Sequence, residues 1–293
     1  MENHASQIET PNIAVVAPHQ FAKLGTAELF ELVGEYGAVL FRNCIHSPEA
    51  FSELVKQHSS RLSLDPARQM VGGAAQLVDA GTQAVGLHCE NGNSPFWPDL
   101  TWFYCHEAPR KGSQTTICDG EVVLARLSEP CRSFFEENAI RYSRTVSGEK
   151  WRRLVCHYKS ESVDPRDVQI DDLLKIIDAD ENTRIAYDPA EDSIHYAFTV
   201  SAIQISSFSN RPAFANSILG PSFNYERPVI DTAHGHPIPA KFISEIETIS
   251  TRSTHPIGWR DHDLVMIDNK RVMHGREPIT DGRRIIFNAL SYR

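Results

Sequence analysis

Three side chains of the metal-binding type, His88, Glu90 and His274, constrain the fold of this chain more than any other feature. Residues i and i+2 of an extended strand point to the same face, so His88 and Glu90 can hold one ion while Cys89 faces away. The third donor lies far along the chain, in the segment Val272-Met273-His274-Gly275-Arg276. The sequence therefore predicts that strands from distant parts of the chain meet at a metal.

Two imidazoles and one carboxylate on one face of an octahedral ion leave open positions, and this donor set is typical of non-haem Fe(II) oxygenases. A short motif such as His88-Cys89-Glu90 also occurs by chance, and then His88 would be an ordinary buried histidine. The C-terminal segment favours the metal site. Residues 263–269 form a mostly apolar strand that ends in a polar turn, and residues 270–274 resume an extended pattern.

Composition excludes several other classes of protein. The 293 residues carry a net charge of −9 and no basic run, which argues against nucleic acid and anionic membranes as partners. The six cysteines form no CxxC pair, so a zinc-cysteine site is not expected. We expect these cysteines to be reduced thiols. With no membrane-spanning apolar stretch and no secretion signal, the sequence predicts a cytoplasmic protein.

Apolar spacing and turn residues predict the main elements of the chain. Helices are expected over residues 26–36, 48–58, 121–127, 130–138 and 168–178, and strands over 38–42, 100–106 and 115–118. A further strand begins at Arg283-Arg284-Ile285-Ile286-Phe287, with two cations at its start. No linker or composition break divides the chain, which predicts one domain over residues 1–293.

Several blocks in this order resemble the taurine dioxygenase and clavaminate synthase-like superfamily of Fe(II)- and 2-oxoglutarate-dependent dioxygenases. The blocks are HCE (88–90), WRDHDLVMIDNKRVMHGREPI (259–279), DGRRIIFNALSYR (281–293), GAVLFR (37–42) and GSQT (112–115). The resemblance implies an α+β fold with a mainly β core. That core would be a double-stranded β-helix (jelly roll) flanked by helices, with a lid insertion at about residues 145–225.

The resemblance also implies roles for individual residues. His88, Glu90 and His274 would be the iron ligands and the catalytic centre. Arg284 would bind the distal carboxylate of 2-oxoglutarate with help from the Thr115 hydroxyl, because a guanidinium matches a carboxylate in a bidentate fork. Strand alternation allows only one of Arg283 and Arg284 to point inward.

The chain departs from some relatives beyond Arg284. Those relatives carry a second arginine where Asn288 stands here, so Asn288 would take its place near the keto-acid end of 2-oxoglutarate. The terminal residue, Arg293, is an alternative source of that missing cation. Chain termini are often mobile, which argues against Arg293.

Three asparagines are candidates for binding the substrate. Asn91 and Asn93 follow the first metal motif, and Asn216 lies in the block Phe214-Ala215-Asn216. Asn91-Gly92-Asn93 is also strong turn chemistry, so these residues would then only shape the loop.

The function implied is hydroxylation of an unactivated C–H bond in an amino acid or natural-product intermediate, with release of succinate and CO2. The small-molecule substrate would be free or bound to a carrier protein, and the oligomeric state is left open. The same oxidation chemistry also serves desaturation, epimerisation and cyclisation. The carboxylate of Glu90 argues against halogenation, since halogenases of the superfamily replace it with a small residue. A zinc hydrolase and a non-catalytic jelly-roll binding protein are the alternatives from other classes, although the hydrolase motif H-E-x-x-H is absent.

Overall fold

The computed structural model describes residues 13–63, 70–78, 81–159, 163–177, 182–220 and 226–293. Parts of the predicted lid, residues 160–162, 178–181 and 221–225, lie outside the described residues. The strands are β1 (Ile13–Val16), β2 (Ala38–Phe41), β3 (Arg61–Ser63), β4 (Met70–Val71), β5 (Ala75–Leu77), β6 (Val85–His88), β7 (Leu100–Glu107), β8 (Thr115–Asp119), β9 (Ile140–Ser147), β10 (Thr183–Asp188), β11 (Ser193–Val200), β12 (Ile203–Ile205), β13 (Pro212–Phe214), β14 (Val229–Thr232), β15 (Thr254–Pro256), β16 (Leu264–Asp268), β17 (Val272–Arg276) and β18 (Ile285–Tyr292).

Most of the helices lie between consecutive strands of the same sheet, and the others connect strands of different sheets. They are α1 (Pro18–Phe21), α2 (Thr26–Tyr36), α3 (Pro48–Gln57), α4 (Gly120–Arg126), α5 (Glu129–Glu137), α6 (Gly148–Lys159), α7 (Ile170–Ile177) and α8 (Ala240–Ser253), with a 3-10 turn at Pro165–Asp167. Among the described residues, none of these helices has the length and apolar character needed to cross a membrane.

The largest sheet has the strand order β1-β2-β16-β7-β18-β5-β4, with β3 also paired to β18. Its outer face is covered by α2 and α3, whose apolar residues Leu29, Val33, Phe51 and Val55 pack against Trp102 and other strand residues. Helix α3 begins where the Ser47 hydroxyl accepts a hydrogen bond from the Ala50 amide. This sheet is therefore anchored on one side and presents its other face to the site.

A four-stranded sheet, in the order β15-β8-β17-β6, faces the inner side of the large sheet. The two sheets share a buried apolar cluster that includes Phe103 and Ile286 from the large sheet and Ile117 and Val272 from the smaller one. Side chains alternate along each strand, so a residue two positions from one of these core residues points to the same side. Such residues near the strand ends line the space between the two sheets. The mainly β core flanked by helices agrees with the predicted α+β class.

A third sheet, in the order β10-β11-β9-β14, is formed from the region predicted to be a lid together with strands on either side of it. Its residues Tyr142, Ile194 and Phe198 join the largest apolar cluster, which also contains Trp151 of α6 and Leu173 of α7. The sequence placed one helix here, at 168–178, and that helix is present as α7. The strands β9 to β11 were not predicted, because half-exposed strands between polar turns give a weak apolar signal.

Candidate metal centre

The antiparallel pairing of β17 with β6 brings the two predicted imidazoles together. In this pairing the Cα atoms of His274 and His88 are direct partners. Their ring centroids are 4.4 Å apart. Strand β17 lies between β6 and β8, so it is held by hydrogen bonds on both sides. The structure therefore places residues from distant parts of the chain at one point, as the sequence predicts.

The Glu90 carboxylate completes this cluster two residues after β6 ends. One donor atom from each of His88, Glu90 and His274 lies within 4.8 Å of the others. His274 Nε2 lies 3.3 Å from Glu90 Oε1. The side chains of His274 and Glu90 are 4% and 15% exposed. Such a buried set of two imidazoles and a carboxylate is chemically suited to one divalent ion.

The backbone fixes the tautomer of His88. Its Nδ1 lies 2.9 Å from the carbonyl oxygen of Gly86, which can only accept, so Nδ1 carries a proton and the lone pair of the neutral ring is on Nε2. Gly86 itself is pressed against another segment of the chain, since a Cβ there would lie 2.4 Å from the Leu219 carbonyl oxygen. A side chain at position 86 would therefore displace the strand that carries His88.

Cys89 points away from the cluster, as strand alternation predicts. Its side chain is 1% exposed and packs in the apolar cluster with Cys118 and Met273. Burial raises the pKa of the Cys89 thiol well above its usual value, so the thiol stays neutral. The free cysteines of the described residues are buried at 89, 105, 118 and 131 and partly buried at 44 and 156.

Thr115 and Arg284 meet at the other end of the space between the sheets. Thr115 begins β8 and lies two residues before Ile117, the Cα partner of His274. Thr115 and His274 thus share a sheet face. The Arg284 Nη2 atom lies 3.3 Å from Thr115 Oγ1, and the indole Nε1 of Trp259 lies 3.1 Å from the same oxygen.

The guanidinium of Arg284 is buried with only part of its hydrogen bonding used. Within the described residues, its Nε and Nη1 atoms are buried and have no hydrogen-bond partner. Burial, together with the nearby charge of Arg276, lowers the pKa of Arg284 to about 10. Arg283, by contrast, is exposed. Between the two candidate arginines, the structure turns Arg284 inward, where an anion would satisfy the remaining donors.

Asn288 lies on the inner face of β18, four residues beyond Arg284. Its Cα partner is Phe103, whose ring packs edge-on against His274 at 5.1 Å. The Asn288 Nδ2 atom lies 3.4 Å from Glu90 Oε1. The side chain thus reaches the metal cluster, and its predicted part in cofactor binding remains a prediction.

The proposed use of Arg293 near the keto-acid end is wrong. Its guanidinium donates to the Ser207 carbonyl oxygen and lies 5.6 Å from the ring centroids of both Phe30 and Phe208. Its backbone N–H donates to the carboxylate of Asp99. These contacts hold Arg293 against α2, so its guanidinium is bound there and not at the metal cluster.

The three asparagines predicted to bind substrate have different surroundings. Asn216 is 1% exposed, and both ends of its amide bond to backbone groups, with Ala202 O at 3.1 Å and Ile218 N at 3.1 Å. Asn91 has φ +54 and donates weakly to Ser63 Oγ and Phe96 O at 3.4 and 3.5 Å. These contacts favour the turn-forming interpretation for Asn91 and a structural one for Asn216. The carbonyl of Asn93 accepts from the Tyr196 hydroxyl at 3.3 Å, and its role in substrate binding stays a prediction.

Two further residues at this site were not predicted from the sequence. Trp259 bonds to Thr115, and Asn269 bonds to the backbone of Glu90. Both lie in the long C-terminal block that carries the family resemblance. Each acts through a partner far away in the chain, which neither spacing nor periodicity along the sequence can indicate.

The family profile described as Taurine catabolism dioxygenase TauD, TfdA family matches residues 3–290. The chain belongs to this family. It is therefore a non-haem dioxygenase that uses Fe(II) and 2-oxoglutarate, as the resemblance implied. This membership decides against the zinc hydrolase and the non-catalytic binding protein.

Individual relatives are distant but cover most of the chain. A clavaminate synthase-like protein of Arabidopsis thaliana is 22% identical over 96% of this chain and 90% of its own length. The dapdiamide synthesis protein DdaC of Enterobacter agglomerans is 26% identical over 89% of this chain and 83% of its own. The structure of PvcB, from Pseudomonas aeruginosa, aligns with a TM-score of 0.61 at 14% identity and covers 97% of this chain and 87% of PvcB. This last likeness shows a shared fold.

The residues present fit the two groups that the family uses. His88, Glu90 and His274 offer the donor set that Fe(II) accepts, and the bound ion would have two neutral imidazoles and one anionic ligand. The unsatisfied donors of Arg284, beside the Thr115 hydroxyl, suit a carboxylate.

Proposed function

We propose that this enzyme hydroxylates an unactivated C–H bond of an amino acid or natural-product intermediate, with the iron held by His88, Glu90 and His274. The observation that carries the metal assignment is the convergence of one donor atom from each of these residues within 4.8 Å. Support for the substrate class comes from two similar proteins. One is named for dapdiamide synthesis, and PvcB is described as an oxygenase from an isonitrile synthetic pathway.

Iron and 2-oxoglutarate together supply the oxidation, in which substrate, O2 and 2-oxoglutarate give hydroxylated substrate, succinate and CO2. The protein supplies positions rather than acid–base groups. Glu90 and the two imidazoles would hold the ion. Arg284 and Thr115 would hold the far carboxylate of 2-oxoglutarate.

Trp259 determines how the Thr115 hydroxyl is used. An indole N–H can only donate, and so can a guanidinium, so Thr115 Oγ1 accepts from both Trp259 and Arg284. A hydroxyl oxygen has two lone pairs, and both are then occupied. The hydroxyl hydrogen must point elsewhere, which makes Thr115 a donor to a carboxylate bound at Arg284.

Replacing Trp259 with phenylalanine removes this N–H and keeps an aromatic ring. We expect the KM for 2-oxoglutarate to rise by up to about tenfold, the equivalent of one net hydrogen bond, with kcat nearly unchanged. The control is Trp102→Phe, which removes an indole bond of the same kind, to Ser291 Oγ at 2.9 Å on the outer face of the large sheet. An unchanged KM in Trp259→Phe, or an equal rise in Trp102→Phe, would contradict this role.

The reaction type and substrate are tested by one screen. Iron-loaded enzyme is incubated with 2-oxoglutarate and a panel of amino acids, free and tethered to carrier proteins, and succinate release is followed. We expect a substrate-dependent rise in succinate together with a product heavier by one oxygen atom. A product lighter by two hydrogens would instead assign desaturation or cyclisation, and an isomer of unchanged mass would assign epimerisation.

We further propose that all residues form one catalytic domain in which residues of about 145–225 act as the lid, and that the enzyme is cytoplasmic. Tyr158 of α6 supports the lid because its ring stacks at 5.1 Å on Phe96, in the loop that follows the metal motif. The free cysteines of the described residues agree with a reducing compartment.

A further inference from the structure

We propose that Asn269 is a positioning residue for the metal centre, which holds the peptide of Glu90 and thereby fixes the direction of its carboxylate. This inference rests on the proposed function only in taking Glu90 as a metal ligand. The side chain of Asn269 bonds to backbone groups of Glu90 and Pro98 and not to the three donor side chains.

The side chain of Asn269 binds both peptide groups of Glu90. Its Oδ1 accepts from the Glu90 N–H at 2.9 Å, and its Nδ2 donates to the Glu90 carbonyl at 2.9 Å. Two such bonds to one residue are what a neighbouring antiparallel strand provides. Strand β6 ends at His88, so Glu90 lies beyond the ladder, and one amide side chain takes the place of a strand partner there.

The same amide also closes the loop that follows Glu90. Its Nδ2 donates a second bond, at 3.0 Å, to the carbonyl of Pro98. The backbone N–H of Asn269 donates to the Asp99 carbonyl at 2.9 Å, and its carbonyl accepts from the indole of Trp97 at 3.1 Å. Asn269 is 0% exposed, so these groups have no access to water. The start and the end of the loop 91–98 are therefore held at one point.

Only an amide fits this position. One atom must accept from an N–H, and the other must donate to two carbonyls, which fixes the orientation of the amide and excludes a carboxylate. An aspartate would keep the acceptor but set a second oxygen against two carbonyl oxygens. Isosteric Asn269→Asp is therefore expected to lose both donated bonds.

The position of Asn269 also couples the two ligand-bearing strands. It lies in the turn between β16 and β17, and β17 carries His274 five residues later. That turn is itself held, because the buried carboxylate of Asp268 accepts from the Lys270 N–H at 3.0 Å and from the Ser206 hydroxyl. The residue after Glu90, Asn91, adopts the left-handed backbone conformation, with φ +54, which asparagine tolerates better than most residues, so the chain turns sharply just after the ligand. The turn before β17, which carries the ligand His274, therefore also holds Glu90, the ligand that follows β6.

The test compares full-length Asn269→Ala with wild type, using Mn(II) as the probe metal under conditions where no turnover occurs. We expect the Kd for Mn(II), measured by calorimetry, to rise by about 10- to 100-fold, the range typical of residues that orient metal ligands. In the metal-free proteins, hydrogen exchange at the Glu90 amide should lose its protection in the variant. Asn269→Ser, a milder change, should give intermediate values and serves if Asn269→Ala does not fold.

The matched control is Ser52→Ala. Ser52 is also 0% exposed and also bridges two backbone groups, Val71 O at 2.6 Å and Ala75 N at 2.8 Å, but on the outer face of the large sheet. We expect it to lower stability without changing the Kd for Mn(II). An unchanged Kd in folded Asn269→Ala or Asn269→Ser, or an equal rise in Ser52→Ala, would overturn the proposal. If wild type binds no Mn(II), the metal assignment fails instead. Hydrogen exchange at the Glu90 amide then still tests whether Asn269 holds the Glu90 peptide.

Discussion

His274→Ala is expected to abolish 2-oxoglutarate turnover and to weaken metal binding by more than about 100-fold. Loss of a residue that only orients a ligand costs 10- to 100-fold, so loss of a ligand should exceed that range. The His274 side chain is 4% exposed, and its Nε2 lies 3.3 Å from Glu90 Oε1, so the alanine variant removes a buried donor from the centre of the cluster. Anaerobic titration with Fe(II) gives the affinity, and succinate release gives the activity.

His88→Ala is expected to behave in the same way, because the two imidazoles are direct partners across β6 and β17. The control is His255→Ala, which removes a partly buried histidine from β15 of the same sheet. His255 is not part of the cluster of donor atoms. Near wild-type metal affinity in either ligand variant would refute its assignment, and an equal loss in His255→Ala would indicate a general effect on folding.

Arg284→Ala should raise the KM for 2-oxoglutarate by about 30-fold or more. Truncating one partner of a buried, hydrogen-bonded charge pair costs at least about 2 kcal/mol, and this converts to that factor. Arg284→Lys keeps the charge but loses the planar fork, so we expect it to recover only part of the affinity. The control is Arg283→Ala at the exposed neighbouring position, where KM should stay within about twofold of wild type.

Arg284 also links binding to stability. A folded pKa of about 10, below the ordinary 12.5, means that the charged form is favoured more in the unfolded chain, so the buried cation costs folding free energy at neutral pH. Arg284→Met should therefore raise the Tm of the protein without metal or cosubstrate. Addition of Mn(II) and 2-oxoglutarate should raise the Tm of wild type more than that of the variant. A lower Tm in Arg284→Met, with an undiminished shift, would contradict an anion site at this residue.

The sequence was most informative where a residue type and its spacing both had a chemical meaning. Alternation along a strand placed His88 and Glu90 on one side with Cys89 on the other, and the structure agrees. Helix α2 was predicted at its observed bounds, since Leu29 and Val33 mark its buried face and Gly37, with φ +75, ends it. Alternation also reduced the choice between Arg283 and Arg284 to one inward side chain, although it did not say which.

The remaining features depend on contacts that leave no local pattern. Asn269 was assigned only to a polar turn, because its partners Glu90 and Pro98 lie far earlier in the chain. Asn216 looked like a pocket residue by its block, yet its amide bonds to the backbone of Ala202 and Ile218. Arg293 was an alternative source of the missing cation, while its actual place is set by Phe30 and Ser207. In each case tertiary hydrogen bonding determined where a polar side chain went.

The central claim is that His88, Glu90 and His274 hold a single ferrous ion. Anomalous diffraction at the iron edge, from crystals of anaerobically Fe(II)-loaded enzyme, tests it most directly. We predict one strong peak per chain, within about 2.0 to 2.3 Å of a nitrogen of each imidazole and an oxygen of the carboxylate, as typical metal–ligand distances require. An iron peak at another place, or an ion bound by fewer than these three side chains, would contradict the account.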